Sequence, residues 1–531
     1  MRYYFLGIGG IGMSALARFF KQRGDNVCGY DRTASPLTKQ LEAEGIAIHY
    51  VDDPKQIPDD IDLVIYTPAV PHETNEFQAL LQRGVPMEKR SQILGELTRG
   101  KRCVAVAGSH GKTTTSAMIA YLLSNGTKGC SAFLGGISKN FDSNLLVNAD
   151  SPWVVVEADE YDRSFLQLHP YYSVITATDP DHLDIYGTHR NLLEAFAQFA
   201  NQTDREGQLF IKDGIGFEDA NEETAGHGKH FTGKAMVGGK DITELRHSDK
   251  TVKEDVKTSA ALSQSANSED SIKVSRHAFH ETVHNAHPHS HGEEEKEHYG
   301  LSLAKDLKVE TYTARSIDAD YYAINVRHYG ASIYFDMRTP QGVLYDMQLT
   351  NSSLYNVENA TVATAVAFAC GLDEHQVRYG LKTFAGIKRR FEYRINEPYM
   401  VYIDDYAHHP REIAACIESV KYLYPDKRIV GVFQPHLYSR TADLYKEFAE
   451  ALSPLDEIVL MDIYPAREKA IPGVTSRLIL NEIKSMNRYI VPRNEVPQMC
   501  VALCPDVVIS MGAGDIDREV PKIEAALRES L

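Results

Sequence analysis

Residues 103–115 read CVAVAGSHGKTTT. A short apolar run, Cys103 to Ala107, meets Gly108-Ser109-His110-Gly111-Lys112-Thr113-Thr114, and a helical pattern follows to about Ser124. An apolar run bounded by glycines predicts a strand buried on both faces. The glycines let backbone N–H groups turn inward toward phosphate oxygens, and the helix that follows adds partial positive charge at its N-terminus. Lys112 is placed to reach β- and γ-phosphates, and the Thr113 hydroxyl to ligate Mg²⁺. Position 106 is Val, so the spacing departs from GxxxxGK[ST]. A glycine turn with an incidental lysine would carry the same letters, but in this strand-to-helix setting ATP binding is the better account.

Working outward, Trp153 to Glu157 and Tyr172 to Ala177 are further apolar runs that read as buried parallel strands. Glu157, Asp159, Glu160 and Asp162 follow the first of them. A carboxylate at the end of a parallel strand beside a phosphate loop is placed to hold Mg²⁺, whereas an acidic loop in solvent accounts equally well for residues 159–162. Asp179-Pro180-Asp181-His182-Leu183-Asp184 follows the second, with His182 a candidate nitrogen ligand for a second metal or a plain surface residue.

Upstream, residues 2–8 read as a strand that runs into Gly7-x-Gly9-x-x-Gly12 and a helix from Met13 to Gln22. A second strand, Asn26 to Tyr30, ends at Asp31. That is a dinucleotide-type fingerprint with a ribose-binding carboxylate about 20 residues on, and it serves a UDP-linked ligand as well as NAD. Strands and helices alternate to Glu88, predicting a parallel α/β sheet, and 86–100 reads as a connector with a short helix.

Downstream, about 218–308 is rich in Ser, Lys, Glu and His, with seven of the 21 histidines between His277 and His298. It reads as a low-complexity surface insertion; the irregular His spacing argues against a functional metal site. Ordinary α/β patterning is expected from Val309, and a third unit from Ile387 with strands at 400–403, 428–433, 458–461 and 507–511. There Asp404-Asp405-Tyr406-Ala407-His408-His409-Pro410 and Gln434-Pro435-His436-Leu437-Tyr438-Ser439-Arg440-Thr441 each sit just past a strand, where ligands collect in open α/β sheets. Lys388-Arg389-Arg390 is either a solvated basic face or a phosphate contact at a domain junction.

Composition sets the outer limits. The 531 residues are 43% hydrophobic and 24% charged, ordinary for a globular chain of several domains. With 56 Lys+Arg against 73 Asp+Glu, the formal charge of −17 argues against sequence-independent nucleic-acid binding, which needs a cationic surface. Seven scattered cysteines without a CxxC pair read as reduced thiols. No apolar stretch approaches 18 residues and no signal peptide is evident, so a cytoplasmic protein without membrane insertion is expected.

Taken in order, LGIGGIGMSALA (6–17), GSHGKTTT (108–115), VVEADEYDRSF (155–165), DPDHLD (179–184), YNVENA (355–360), FAGIKRRFE (384–392), DDYAHHP (404–410), FQPHLYSRT (433–441) and GAGD (512–515) resemble the Mur ligase family over nearly the whole chain outside the insertion. The resemblance implies an α/β protein of three domains. A Rossmann-like domain over 1–98 would bind a UDP-sugar, a P-loop domain over 99–386 would bind ATP, and a Rossmann-like domain over 387–531 would bind an amino acid. The implied activity is ATP- and Mg²⁺-dependent joining of L-alanine to the lactyl carboxylate of UDP-N-acetylmuramate through an acyl phosphate, in a monomer or homodimer. Recycling of a pre-made peptide, or nucleotide-sugar sensing without turnover, are the alternatives.

By the same resemblance the UDP-sugar would meet Gly9, Gly10, Ile11, Gly12, Asp31, Thr67 and His110. ATP would meet Gly108, Ser109, His110, Gly111, Lys112, Thr113 and Thr114, with Asn356, Asn359 and Arg390. Thr113, Glu157 and His182 would hold metal, and Asp405, Tyr406, His409 and Arg440 the amino acid. Lys112, Glu157, His182, His409 and Arg440 would carry the chemistry, with His409 as candidate base. Leu437 stands where the family often has a second arginine, and Ser352-Ser353 where Pro-Gly is common. Ala197 stands where other branches carry a carbamylated lysine, which points to the alanine-adding branch.

Overall fold

The structure is a computed structural model that describes residues 1–215, 217–219, 301–314, 316–466 and 468–530. Three main sheets follow one another along the chain. The first is wholly parallel, in the order Ala47–His49, Asn26–Tyr30, Arg2–Leu6, Leu63–Tyr66, Met87–Lys89. Its central strand turns through Gly7 (φ +83°) into helix Ile11–Gln22, where the fingerprint places the ligand loop. The helix begins two residues before the expected Met13.

Strand Arg102–Ala107 lies mid-sheet in the second unit, between Pro170–Ile175 and Trp153–Glu157 and parallel to both. All of Cys103–Ala107 is buried, because helices cover both faces of the sheet. Helix Lys112–Ser124 packs against helix Asn356–Ala369 on one face, and ten of its 13 residues are buried. One sheet edge departs from the expected pattern. Beyond Gln208–Lys212 and Val309–Thr313, strands Tyr321–Tyr329, Ser332–Thr339 and Gly342–Leu349 add an antiparallel meander. Burial along Tyr321–Tyr329 alternates with period 2, the mark of a half-exposed antiparallel edge, where α/β patterning was expected from Val309.

Most of the expected insertion lies outside the described residues. Its ends do not: Phe217–Asp219 pairs in parallel with Leu301–Leu303. The expected low-complexity run to Lys308 is corrected at its C-terminal end, where Leu303 and Leu307 are buried in the core beneath the central sheet.

The third sheet runs Glu392–Glu397, Met400–Asp405, Val507–Met511, Ile429–Phe433, Glu457–Leu460, Arg488–Ile490, with only the first strand antiparallel. That edge strand was not anticipated. The first and second units are pinned together by polar contacts in a buried setting. Asn144 donates to the Ile11 carbonyl (2.6 Å) and Ser14 hydroxyl (2.9 Å), and receives Arg18, whose guanidinium also grips Glu44. Helix Ile11–Gln22 is thereby fixed against the central sheet, and its glycine loop with it. Among the described residues no helix is long and apolar enough to cross a membrane.

Candidate active site

The phosphate loop leaves strand Arg102–Ala107 through Gly108 (φ +136°) and enters its helix through Gly111 (φ +82°). Both conformations are open to glycine and costly for other residues. A Cβ on Gly108 would lie 2.2 Å from the Thr176 hydroxyl, and one on Gly111 3.0 Å from the Asn359 side-chain oxygen. The loop is braced from behind: Thr176 donates to the His110 carbonyl, Ser109 N–H to Ala177 O (2.9 Å), and the Ser109 hydroxyl to Asp179 O (2.8 Å). This is a cradle that any added side chain would fill, and it fits a polyphosphate.

Lys112 donates to Gly108 O at 2.6 Å and to Glu160 at 2.8 Å. Burial pulls the ammonium down, but Glu160, Asp159 and Glu157 more than offset it, so the lysine is held charged. Burial pushes the Glu160 carboxyl up, and Lys112 and His182 outweigh it, holding it down at about 2. Sequence reasoning placed Glu160 in an acidic loop but gave no sign that it would turn inward onto the lysine.

Thr113 donates to Glu157 Oε1 at 3.1 Å, and Glu157 Oε2 accepts the Gly135 N–H at 3.0 Å. Burial raises the Glu157 carboxyl, and Lys112, the Thr113 hydroxyl and Arg390 offset this only in part. The hydroxyl and carboxylate side by side fit Mg²⁺. His182, the candidate ligand for a second metal, adopts a left-handed backbone (φ +53°) and lies 3.6 Å from Glu160. Among the described residues no three His, Cys, Asp or Glu side chains gather for a cation. Of the residues expected to hold metal, Thr113 and Glu157 are brought side by side, and His182 lies beside the partner of Lys112.

Asn356 and Asn359 open helix Asn356–Ala369 and bond to each other (2.9 Å). Asn359 accepts from Thr115 at 3.1 Å, and Asn356 donates to the Ser352 hydroxyl at 3.1 Å. Ser352, at the site of a departure from the family pattern, thus has a local role. Thr114 is buried at the helix start.

A cleft of ≈ 250 Å³ separates the first glycine loop from the central sheet. Gly10, Ile11, Gly12, Thr67, Glu157 and Asp159 border it. Asp31 does not. Its carboxylate accepts the Gly9 N–H (2.8 Å) and the Thr33 N–H (3.0 Å), so it braces the loop from the far side, and Gly9 is turned with it. The cleft also offers Arg90, which no sequence signal singled out. It lies so close over Gly12 that a Cβ there would come within 2.7 Å of its Nη1, and its Nη2 reaches Asp159 at 3.2 Å.

The third unit faces the phosphate loop. Asp405 is buried, with Oδ2 accepting from Phe391 N–H (2.7 Å) and the Tyr355 hydroxyl (3.0 Å) and Oδ1 from Ala407 N–H (2.7 Å). Burial lifts its carboxyl to about 6 even though Arg390 and these donors pull it down. The guanidinium groups of Arg389 and Arg390 both lie over the Tyr406 ring, 5.3 and 5.1 Å from its centre. Arg390 feels Glu412, Asp405 and Glu157. Arg440 reaches Asp181 at 3.8 Å, and Arg411 pairs with Asp179. His409 caps helix Pro410–Leu423 with its ring 5.6 Å from that of His110. Burial and His110 push His409 down, and its Nδ1 is buried without a hydrogen-bond partner. Leu437 adopts φ +73°, ψ 137°, a strained conformation for a branched side chain at the start of helix Tyr438–Leu452.

Comparison with known proteins agrees along the whole length. Family models described as the Mur ligase family catalytic domain, the Mur ligase middle domain and the Mur ligase glutamate ligase domain match residues 2–102, 106–286 and 389–514. The UDP-N-acetylmuramate–L-alanine ligase of Porphyromonas gingivalis is 40% identical over 99% of both chains. That of Phocaeicola vulgatus is 40% identical over 98% of this chain and 96% of its own. The crystal structure of the UDP-N-acetylmuramate–alanine ligase of Thermotoga maritima superposes with a TM-score of 0.72 at 25% identity, covering 100% of both chains. A murein peptide ligase from Psychrobacter arcticus shares the fold at 18% identity, with a TM-score of 0.61.

Proposed function

The chain belongs to the Mur ligase family, and on that premise we propose that it is an ATP-dependent ligase joining L-alanine to the lactyl carboxylate of UDP-N-acetylmuramate, in peptidoglycan precursor synthesis. The observation that carries this reading is the end-to-end 40% identity to relatives bearing that name. It favours the single-amino-acid reaction over peptide recycling, whose representative here is similar in fold alone.

The site residues take the following roles in this reading. The Gly108–Thr114 backbone and Lys112 hold the triphosphate, and Arg390 approaches it from the third unit. Thr113 and Glu157 hold Mg²⁺, which when bound supplies charge neutralisation between two anionic reactants. Arg90 and the Gly10–Gly12 turn hold the UDP-sugar diphosphate in the cleft between the first two units.

A carboxylate oxygen of the sugar attacks the γ-phosphorus, the bond to the bridging oxygen breaks, and ADP leaves. The alanine nitrogen then attacks the acyl carbon and inorganic phosphate departs. Lys112 stabilises charge on the transferring group throughout. The ammonium form of alanine cannot attack, so it must lose a proton. His409, kept neutral by burial and by His110 beside it, is the acceptor in this scheme.

The test is phosphate release from ATP and Mg²⁺ with UDP-N-acetylmuramate across L-alanine, glycine, L-serine and L-alanyl peptides, with Lys112→Ala as control. Release that requires both the sugar nucleotide and L-alanine, and is absent from the control, is the expected result. Release only with peptides moves the assignment to recycling; none with any acceptor, despite binding of both nucleotides, overturns the enzyme reading.

A further inference from the structure

Glu412 lies on the first turn of helix Pro410–Leu423, in the third unit, yet one of its carboxylate oxygens belongs to the central one. Its Oε1 accepts from His110 Nδ1 at 3.2 Å, and its Oε2 accepts the backbone N–H groups of His408 (3.0 Å) and His409 (3.2 Å). His110 is part of the phosphate loop and immediately precedes Gly111, the N-cap of helix Lys112–Ser124. His409 is the N-cap of helix Pro410–Leu423. The N-terminal turns of two helices, of 13 and 14 residues, therefore meet across a domain boundary with the Glu412 carboxylate between them and Asp179 beside it, 3.6 Å from His110 Nε2 and paired with Arg411.

Two helix N-termini each carry partial positive charge and repel when brought together in a dry interface. Arg390 also acts on Glu412 from the third unit, adding to the positive field. Burial would push the Glu412 carboxyl up, but His408, His110 and Arg390 hold it well below the ordinary range, so it stays an anion. Two further contacts cross the same boundary, Arg411 to Asp179 and Arg440 to Asp181. Both lie on the loop whose Asp179 carbonyl receives Ser109. Of these three carboxylate contacts, that of Glu412 is made to a side chain of the phosphate loop itself, where the His409 ring also lies 5.6 Å from that of His110.

We propose that Glu412 is a positioning residue whose anionic carboxylate staples the third domain onto the phosphate loop through His110, setting how closely Arg390 and residues 404–409 approach the nucleotide. This rests on the ligase reading above, in which that loop holds ATP. A ligand bound across the boundary depends on the staple. A ligand bound between the first and central units, which Glu412 does not touch, is indifferent to it.

The experiment compares wild type, Glu412→Gln and Glu412→Asp, each also in a His110→Asn background, by steady-state phosphate release and by small-angle X-ray scattering of the unliganded chains. Gln keeps size and an acceptor for the helix cap but loses the charge, and a melting curve verifies that each variant is folded. Expected for Glu412→Gln is a fall in kcat of about tenfold or more with a raised KM for ATP and an unchanged KM for the sugar nucleotide. Asp, which retains the charge, is expected to recover part of the loss, and Gln to add nothing once His110 is Asn. Wild-type kcat and KM in Glu412→Gln, or the same further loss in both backgrounds, would overturn the proposal. If wild type itself releases no phosphate, the parent reading fails. Scattering then decides the staple alone: a larger radius of gyration in Glu412→Gln supports it, and an equal one overturns it.

Discussion

The Lys112 ammonium donates to the buried Glu160 carboxylate at 2.8 Å, so the cation of the phosphate loop has a protein carboxylate as its partner. Removing one partner of such a pair strands a buried charge, which costs about 3–5 kcal/mol. Glu160→Gln is expected to lose stability on that scale in urea unfolding. A loss below about 1 kcal/mol would show that Lys112 finds another partner in Glu157 or Asp159.

Glu160 also sets an acid limb of stability. Its folded carboxyl is held at about 2, below the ordinary 4.5, so its contribution is complete above about 4.5 and is lost as pH falls toward 2. Melting temperature followed from pH 6 to pH 2 is expected to fall more gently in Glu160→Gln than in wild type. Parallel curves would contradict this.

Arg90 lies directly over Gly12 in the cleft assigned to the sugar nucleotide. Arg90→Ala is expected to raise the KM for UDP-N-acetylmuramate about 10- to 100-fold, the equivalent of about 1.5–3 kcal/mol for a hydrogen bond to a charged group. The KM for ATP should stay near wild type, and an equal rise in both would mean general disruption of the cleft.

Asp405 accepts three hydrogen bonds on two oxygens. In Asp405→Asn an NH₂ must face at least one of these donors, leaving a buried donor unpaired at a cost of about 1–3 kcal/mol. Calorimetry is expected to show the lowered melting temperature; an unchanged one would mean the loop rearranges to suit the amide.

Thr113 and Glu157 are the pair assigned to Mg²⁺. Thr113→Val keeps shape and removes the oxygen, and the Mg²⁺ concentration for half-maximal phosphate release is expected to rise about tenfold or more. Chelation of divalent cations should abolish release from wild type, with recovery on adding Mg²⁺ back. Release that persists in the chelator would remove the metal role from this pair.

Much of this molecule is written in local sequence. The buried strand and glycine turn at 103–114, the fingerprint at 7–12 and the strand Val507–Met511 follow from short-range rules of backbone sterics and apolar burial, which neighbours along the chain are enough to express. The antiparallel meander at 321–349 and the edge strand Glu392–Glu397 were harder to read, because their partners are set by sheet pairing and not by their own composition.

The side-chain pairings depended on tertiary structure still more. Glu160 sits 48 residues from Lys112 and Glu412 lies 302 from His110; nothing in the neighbouring sequence names either partner. Asp31 stands where the fingerprint calls for a ligand-binding carboxylate, and only the fold shows that it also accepts the Gly9 N–H. Sequence determined which kinds of chemistry this chain carries and in what order. Only the fold decided which charge faces which, because electrostatic partnership depends on distance in space and on exclusion of water, and both are fixed when separate units pack together.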